Sequence, residues 1–132
     1  MANNDSYQAH VSGTVRALLR IEGLAVFLLA LLLYARTGAS WGLFGALILV
    51  PDLSLLAYLI GPRAGAAAYN TMHSYLGPLF VVALGLALAP GLLPVAFIWG
   101  AHVGIDRAMG YGLKYASAFR DTHLGRIGRA VG

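Results

Sequence analysis

The chain has no cysteine among its 132 residues, which excludes disulfides, thiolate metal sites and cysteine nucleophiles. Charged residues are also scarce, at 11% of the sequence, whereas 59% of the residues are apolar. A soluble domain of this length needs a larger charged surface to stay in solution. The mean hydropathy of +0.74 therefore predicts a membrane-embedded protein.

The apolar residues fall into four long runs separated by turn signals. Each run is nearly continuous over about 18 residues or more, as spanning helices require, whereas barrel strands alternate over about ten. A cleaved signal peptide is the alternative for the first run, and Glu22 within that run argues against it. We predict one all-α polytopic bundle over residues 1–132, with a polar tail at 111–132 and four transmembrane helices at about 17–35, 41–60, 64–89 (kinked near Pro78) and 92–110.

The basic residues predict the orientation of these spans. With four spans, the N-terminus, the second connection and the C-terminus lie on the same side. The opposite side holds Arg36 alone, so the positive-inside rule places both termini in the cytoplasm, as in a multi-pass protein of the inner (cytoplasmic) membrane. Topology thus explains the net charge of +4, and we expect no nucleic-acid partner. The basic residues on the predicted cytoplasmic side are Arg16, Arg20, Arg63, Arg107, Lys114, Arg120, Arg126 and Arg129.

Five ionisable residues interrupt the apolar runs. At 1.5 Å rise per residue, each lies roughly 6–14 Å below the cytoplasmic end of its predicted span. A charge at mid-bilayer costs on the order of 2.5–3.5 kcal/mol on insertion scales, so these residues need partners and are one another's nearest candidates. We predict a polar layer that faces the bundle interior, formed by Glu22, Asp52, His73, His102 and Asp106.

Local spacing supports this layer. His102 and Asp106 are four residues apart and project from one face of a helix, and Asn70 and His73 are three apart. Pro51 lacks a backbone donor and frees a carbonyl one turn earlier, next to Asp52.

Imidazole and carboxylate ligands together suit zinc, manganese or iron. We predict a divalent metal ion, with zinc the first choice, held by Asp52, His73, His102 and Asp106. Glu22 is predicted as a base, a bridging ligand or a partner of these ligands. The alternative is a metal-free network of His–Asp hydrogen bonds that only specifies helix packing.

Four segments carry a resemblance to a known family: Pro51-Asp52, residues 70–75, residues 99–107 and residues 110–115. They resemble the bacterial integral membrane family of unknown function numbered 4260, over nearly the whole chain, and this resemblance implies no reaction.

The order of Pro-Asp, a His-Ser pair and His-x-x-x-Asp more distantly resembles the membrane-bound metal-dependent hydrolases of the YdjM type. That resemblance places Asp52, His73, His102 and Asp106 on the metal-binding pattern of those hydrolases. Those proteins usually carry a further His shortly before the His-Ser pair, where this chain has residues 68–70, Ala-Tyr-Asn.

These observations lead to the hypothesis of a metal-dependent hydrolase that acts on a lipid or amphiphilic ester or phosphoester from the cytoplasmic leaflet. The metal ion lowers the pKa of a water molecule for attack, and Glu22 or Asp106 is the base. Membrane lipids are the expected partners, with a homo-oligomer as a further one. A small proton-coupled carrier and a non-catalytic membrane subunit are the alternatives. The predicted substrate contacts are Asn70, Arg63, Arg107 and Tyr111.

Overall fold

A computed structural model describes residues 13–113, 121–122 and 125–126. The described chain is helical, as predicted, apart from two short strands within the predicted tail, β1 (Asp121–Thr122) and β2 (Gly125–Arg126), which pair antiparallel. A 3-10 helix, Val50–Leu59, follows α2, and a short 3-10 turn, Pro90–Leu92, precedes α5. The α-helices are α1 (Gly13–Thr37), α2 (Trp41–Leu47), α3 (Pro62–Met72), α4 (Leu76–Ala87) and α5 (Leu93–Met109).

Two helical segments are long and apolar enough to cross a membrane. They are Gly13–Thr37 and Trp41–Leu59, which agree with the first two predicted spans. Helix α5 has 17 residues and agrees with the fourth predicted span in its bounds. The number of passes and the side of the termini stay predictions.

The prediction of one continuous helix over residues 64–89 is wrong. The chain forms α3 and α4 instead, with a break at residues 73–75. The predicted kink at Pro78 is also misplaced, because Pro78 lies in the first turn of α4, where a missing N–H costs nothing. The break comes at His73, whose φ of −114° and ψ of 15° end α3.

The surface of the described residues is unusually apolar, and ionisable side chains are buried among the apolar ones inside. Large apolar side chains point outward: Leu59 is 87% exposed, Leu88 80% and Leu76 77%. The buried side chains include His73 and His102, which are 0% and 3% exposed. Extended apolar surface, with ionisable groups turned inward, is what a lipid environment favours.

Two glycines bring α1 and α5 into direct backbone contact. A Cβ added at Gly23 would lie 2.4 Å from the Cβ of Arg107 and 2.8 Å from the carbonyl oxygen of Gly104. A Cβ added at Gly104 would lie 2.7 Å from the backbone nitrogen of Phe27. Small residues at such crossings let helices approach closely in membranes. This contact leaves the side of α5 that carries His102 free to face the 3-10 helix and α3.

Replacing Gly23 by leucine is expected to destabilise the protein by about 1–3 kcal/mol or more, because the α1–α5 contact must open. Thermal unfolding in detergent micelles measures the effect. Gly45→Leu is the matched control, since a Cβ at Gly45 meets nothing within 4 Å. Equal melting temperatures for the two variants would show that the α1–α5 contact does not support the fold.

Candidate metal centre

A tight hairpin places Asp52 opposite His73. The 3-10 helix and α3 are joined at Gly61, whose φ of +154° disfavours other residues. The two arms lie so close that a Cβ at Gly65 would be 2.2 Å from the ring of Tyr58, so only glycine leaves room for that ring. Residues 21 positions apart in sequence therefore face each other.

The break after α3 ties this hairpin to α5. A helix end leaves backbone carbonyls without intrahelical partners. Here Trp99 donates from Nε1 to the carbonyl of Met72 (2.6 Å), and Arg107 donates from Nη2 to the carbonyl of His73 (2.7 Å). These two bonds from α5 hold the break in place and bring the imidazole of His73 beside His102.

The four predicted metal ligands converge on one point. Oδ1 of Asp52 lies 3.0 Å from Nε2 of His73 and 3.1 Å from Nε2 of His102. Oδ2 of Asp106 lies 3.5 Å and 3.2 Å from the same two nitrogens. The two Nε2 atoms are 3.0 Å apart, and all four ligand atoms lie within 4.8 Å of one another.

Most of these separations are close to those around a tetrahedral ion. Bonds of about 2.0–2.1 Å to a four-coordinate zinc ion place neighbouring ligand atoms about 3.3–3.4 Å apart. Five of the six separations in this cluster lie between 3.0 and 3.5 Å. The donor set of two imidazoles and two carboxylates suits a divalent cation of the zinc, manganese or iron kind.

The outer ring nitrogens show which way the imidazoles are protonated. Nδ1 of His73 donates to the carbonyl of Tyr69 (2.9 Å), and Nδ1 of His102 donates to the carbonyl of Ile48 (2.5 Å). A carbonyl only accepts hydrogen bonds, so both Nδ1 atoms carry the proton and a neutral ring has its lone pair on Nε2. Two lone pairs and two carboxylates then face one another, which is the arrangement of a cation site with its outer partners in place.

Pro51 explains why the carbonyl of Ile48 is available. Residue 51 has no N–H, and the N–H of Asp52 bonds to the carbonyl of Leu49 (3.0 Å). The carbonyl of Ile48 therefore accepts from His102 instead of from its own helix. Pro51 thus frees the carbonyl that orients the ligand His102, and the next residue, Asp52, is itself a ligand.

Two aromatic side chains outside the ligand set support the histidines, and sequence reasoning did not single out the second of them, Trp99. The ring of Tyr69 stacks on the imidazole of His73, with centroids 3.8 Å apart and an interplanar angle of 9°. Trp99 holds the break after α3, and its ring occupies the space over Gly77, where a Cβ would lie 2.3 Å away. The available signal for Trp99 was its position three residues before His102 on the same helix.

The predicted polar layer has four members at the centre and not five. Glu22 is exposed on α1 and does not belong to the converging group. Its carboxylate interacts electrostatically with Tyr75. Its predicted role as a base stays untested.

The predicted substrate contacts lie around the centre and not in it. Arg107 is only 7% exposed, and its Nη1 and Nη2 donate to the carbonyls of Tyr111 (2.9 Å) and His73 (2.7 Å), so this residue braces the backbone. Tyr111 is 39% exposed. Arg63 is exposed in the first turn of α3, and Asn70 is half-buried one turn before His73.

The four ligand side chains differ in exposure. The side chain of Asp52 is 41% exposed, whereas those of Asp106, His102 and His73 are 13%, 4% and 0% exposed. Asp52 is therefore the most accessible of the four ligands.

Comparison with known proteins gives a family without an activity. No curated protein matches the chain significantly, and no solved structure does. The more distant resemblance to YdjM-type hydrolases therefore stays a prediction. A family model described as a domain of unknown function, DUF4260, matches residues 16–127 of the 132. The chain belongs to that family.

Proposed function

We propose that the protein is a membrane-embedded, metal-dependent hydrolase that binds one divalent cation through Asp52, His73, His102 and Asp106. The observation that carries this proposal is the convergence of two Nε2 atoms and two carboxylate oxygens. Both Nδ1–H groups donate hydrogen bonds to backbone carbonyls, so Nε2 is the nitrogen that faces the centre. Zinc is the first choice because five of the six ligand separations are close to those of its tetrahedral shell.

The membrane setting is supported by hydropathy and by exposure. Two segments are long and apolar enough to span, and large leucines cover the outside of the described helices. In this proposal α3 and α4 together complete a third pass and α5 forms a fourth. The excess of basic residues at one end supports cytoplasmic termini, as expected for a protein of the bacterial inner membrane.

The surroundings of Asp52 support a lipid or amphiphilic substrate. Residues three apart eclipse each other on a 3-10 helix, so Leu49 and Leu55 flank Asp52 along its own stripe. Leu49 is 65% exposed and the neighbouring Leu53 is 63% exposed. The approach to the ligand atoms is thus apolar, which favours a substrate that comes from the lipid phase over a water-soluble one.

The cation, Asp106 and Asp52 have different roles in the proposed hydrolysis. A bound divalent cation supplies Lewis acidity and activates water for attack on an ester or phosphoester. Of the two predicted bases, Asp106 lies at the centre and Glu22 does not, so we assign proton acceptance to Asp106. Asp52 is the most exposed of the four, and its side is where water and substrate reach the centre.

A structural metal site is the second candidate. Four protein ligands complete a tetrahedral shell, as in structural zinc sites, whereas catalytic sites keep one position for water or substrate. In that case the ion joins the 3-10 helix, the α3–α4 break and α5, and the protein has no hydrolytic activity.

Hydrolysis of defined lipids separates the two candidates. We expect the zinc-loaded protein to release fatty acid or phosphate from vesicles of phosphatidic acid, phosphatidylglycerol or phosphatidylcholine. Asp106→Asn is expected to slow this release by at least about 10²–10⁴-fold, because it removes a ligand of the ion together with the proposed general base. Arg36→Gln, at the far end of α1, is the control for a surface substitution. Stoichiometric zinc without release from any of these vesicles would leave the structural site as the explanation.

A further inference from the structure

We propose that the helical hairpin of residues 50–72 is a gate over the metal centre, which a bound divalent cation holds closed against α5. The hairpin consists of the 3-10 helix, Val50–Leu59, and of α3, Pro62–Met72. This inference rests on the metal binding of the proposed function but not on hydrolysis.

The hairpin lies between two interruptions of the helical backbone. Residues 48–49 form the turn between α2 and the 3-10 helix, and residues 73–75 form the break between α3 and α4. Both interruptions lie beside the ligand atoms, because Asp52 follows the first closely and His73 belongs to the second. A few residues at the ends of elements absorb the changes of φ and ψ in a hinge motion. Residues 48–49 and 73–75 are therefore the two pivots of the hairpin.

The two arms of the hairpin form one unit, and α5 belongs to another. The 3-10 helix and α3 pack most closely on each other, with the ring of Tyr58 over Gly65. Helix α5 packs most closely on α1 and then on α4, where Trp99 covers Gly77. Among the described residues, the backbone of the two arms has little contact with α5. The hairpin can therefore turn without breaking the packing of α1, α4 and α5.

The hydrogen bonds from α5 hold the pivots of the hairpin. Three side chains of α5 donate to backbone carbonyls in this region. The acceptors lie at or next to the two pivots, and they are the carbonyls of Ile48, Met72 and His73. These bonds fix where the hairpin turns, whereas they do not tie down the middle of either arm.

Asp52 is the ligand that closes the gate. It is the one ligand on an arm of the hairpin, since His73 lies at the second pivot and the other two belong to α5. Its Oδ1 lies 3.0 Å and 3.1 Å from the two Nε2 atoms. A divalent cation attracts all four ligand groups to one point, whereas in its absence the carboxylates of Asp52 and Asp106 repel each other. Cation binding therefore favours the closed position, and loss of the cation favours the open one.

The outer surface of the hairpin suits a motion within lipid. Leu56, Leu59 and Ile60 are 63%, 87% and 84% exposed. Lipid tails are as apolar as these side chains, so an outward turn within the bilayer transfers no apolar surface to water. Opening separates Asp52 from the three ligands whose side chains are at most 13% exposed in the closed state. The gate thus gives a lipid substrate a lateral route to those buried ligands.

Distances between pairs of spin labels test the gate. The chain has no cysteine, so Leu59→Cys on the hairpin and Leu28→Cys on α1 take the labels at exposed positions. The control pair joins Leu28→Cys to Leu86→Cys on α4, which packs on α5. With one zinc ion bound per chain, we expect a narrow distance distribution for both pairs. With excess chelator, we expect the hairpin pair to broaden and its mean to shift by more than about 2 Å, whereas the control pair stays unchanged.

Two further measurements make the test specific. His102→Ala with the hairpin labels is expected to show the open distribution even in the presence of zinc. Hydrogen exchange of the backbone amides of residues 50–72 is expected to become faster on chelation than that of residues 24–35 in α1. The exchange experiment uses the parent protein, so it decides even if His102→Ala does not fold.

Three results would overturn the gate. Unchanged distances after removal of stoichiometric zinc would show that packing alone fixes the hairpin, and would leave the metal centre standing. An equal change in both label pairs would show a general loosening of the fold. A parent protein that binds no divalent cation would overturn the gate together with the metal centre.

Discussion

Removing either imidazole, as His73→Ala or His102→Ala, is expected to abolish stoichiometric metal binding by the purified protein. Each substitution deletes one of four ligands and also a nitrogen that faces both carboxylates at 3.0–3.5 Å. Loss of a single outer partner of a metal ligand already costs about 10–100-fold in affinity, so loss of a ligand costs more. Elemental analysis after zinc loading and removal of free ions measures the effect, with one ion per chain expected for the parent protein.

The carboxylates supply a matched control for this experiment. Asp52→Asn removes the charge of a ligand, whereas Glu22→Gln removes the same charge from an exposed residue outside the converging group. We expect Asp52→Asn to lose the ion and Glu22→Gln to keep it. Equal loss in both variants would assign Glu22 to the centre. A parent protein without zinc, manganese or iron would show that the four side chains form only a hydrogen-bonded network.

The misplacement of Glu22 shows what a residue count along a helix can determine. Counting residues at 1.5 Å each predicts the height of a side chain in a membrane. It does not predict the direction in which the side chain points. That direction is set here by the next residue, Gly23, which faces the backbone of α5 at Gly104. Successive side chains on a helix are turned by about 100°, so Glu22 lies off the line of contact with α5 and is exposed.

The two ligands on α5 were predictable because their relative direction depends only on their spacing along one helix. His102 and Asp106 share a helix, and their spacing of four residues alone places them on one face. Once the high cost of a buried charge is added, Asp52 and His73 are the nearest available partners. The sequence therefore predicted which side chains meet, through chemistry and spacing that are local to each helix.

The break at His73 could not be predicted from the local sequence. Residues 64–89 are apolar enough for one helix, and a helix satisfies its own backbone. The break is stabilised by distant groups, since Trp99 and Arg107 donate to carbonyls 27 and 34 residues away in sequence. The effect of Pro51 was predictable only in part. Its missing N–H predicts that a nearby carbonyl is free, but not that His102, 54 residues from Ile48, donates to that carbonyl.

Removal of the metal by a chelator is expected to lower the stability of the protein strongly. Without a cation, two carboxylates and two Nε2 lone pairs face one another within 4.8 Å. An ion that binds only the folded state stabilises it by about 4 kcal/mol when its concentration is about 1,000 times its dissociation constant. Thermal unfolding in detergent, with and without excess chelator, measures the difference. In a Trp41→Phe variant, the fluorescence of the remaining Trp99, which hydrogen-bonds to the carbonyl of Met72, gives a local signal beside the centre.

The His73→Ala variant makes this experiment specific, because its stability is expected not to respond to the chelator. A metal-free His–Asp network predicts different results for the chelator and for Asp52→Asn. In that network each carboxylate accepts a proton shared with Nε2, so the chelator changes nothing and Asp52→Asn alone destabilises the protein. In a metal centre, the chelator destabilises the parent, and Asp52→Asn in the absence of metal relieves the repulsion between the two carboxylates. The sign of the Asp52→Asn effect in metal-free protein therefore distinguishes a cation site from a packing network, even before any substrate is known.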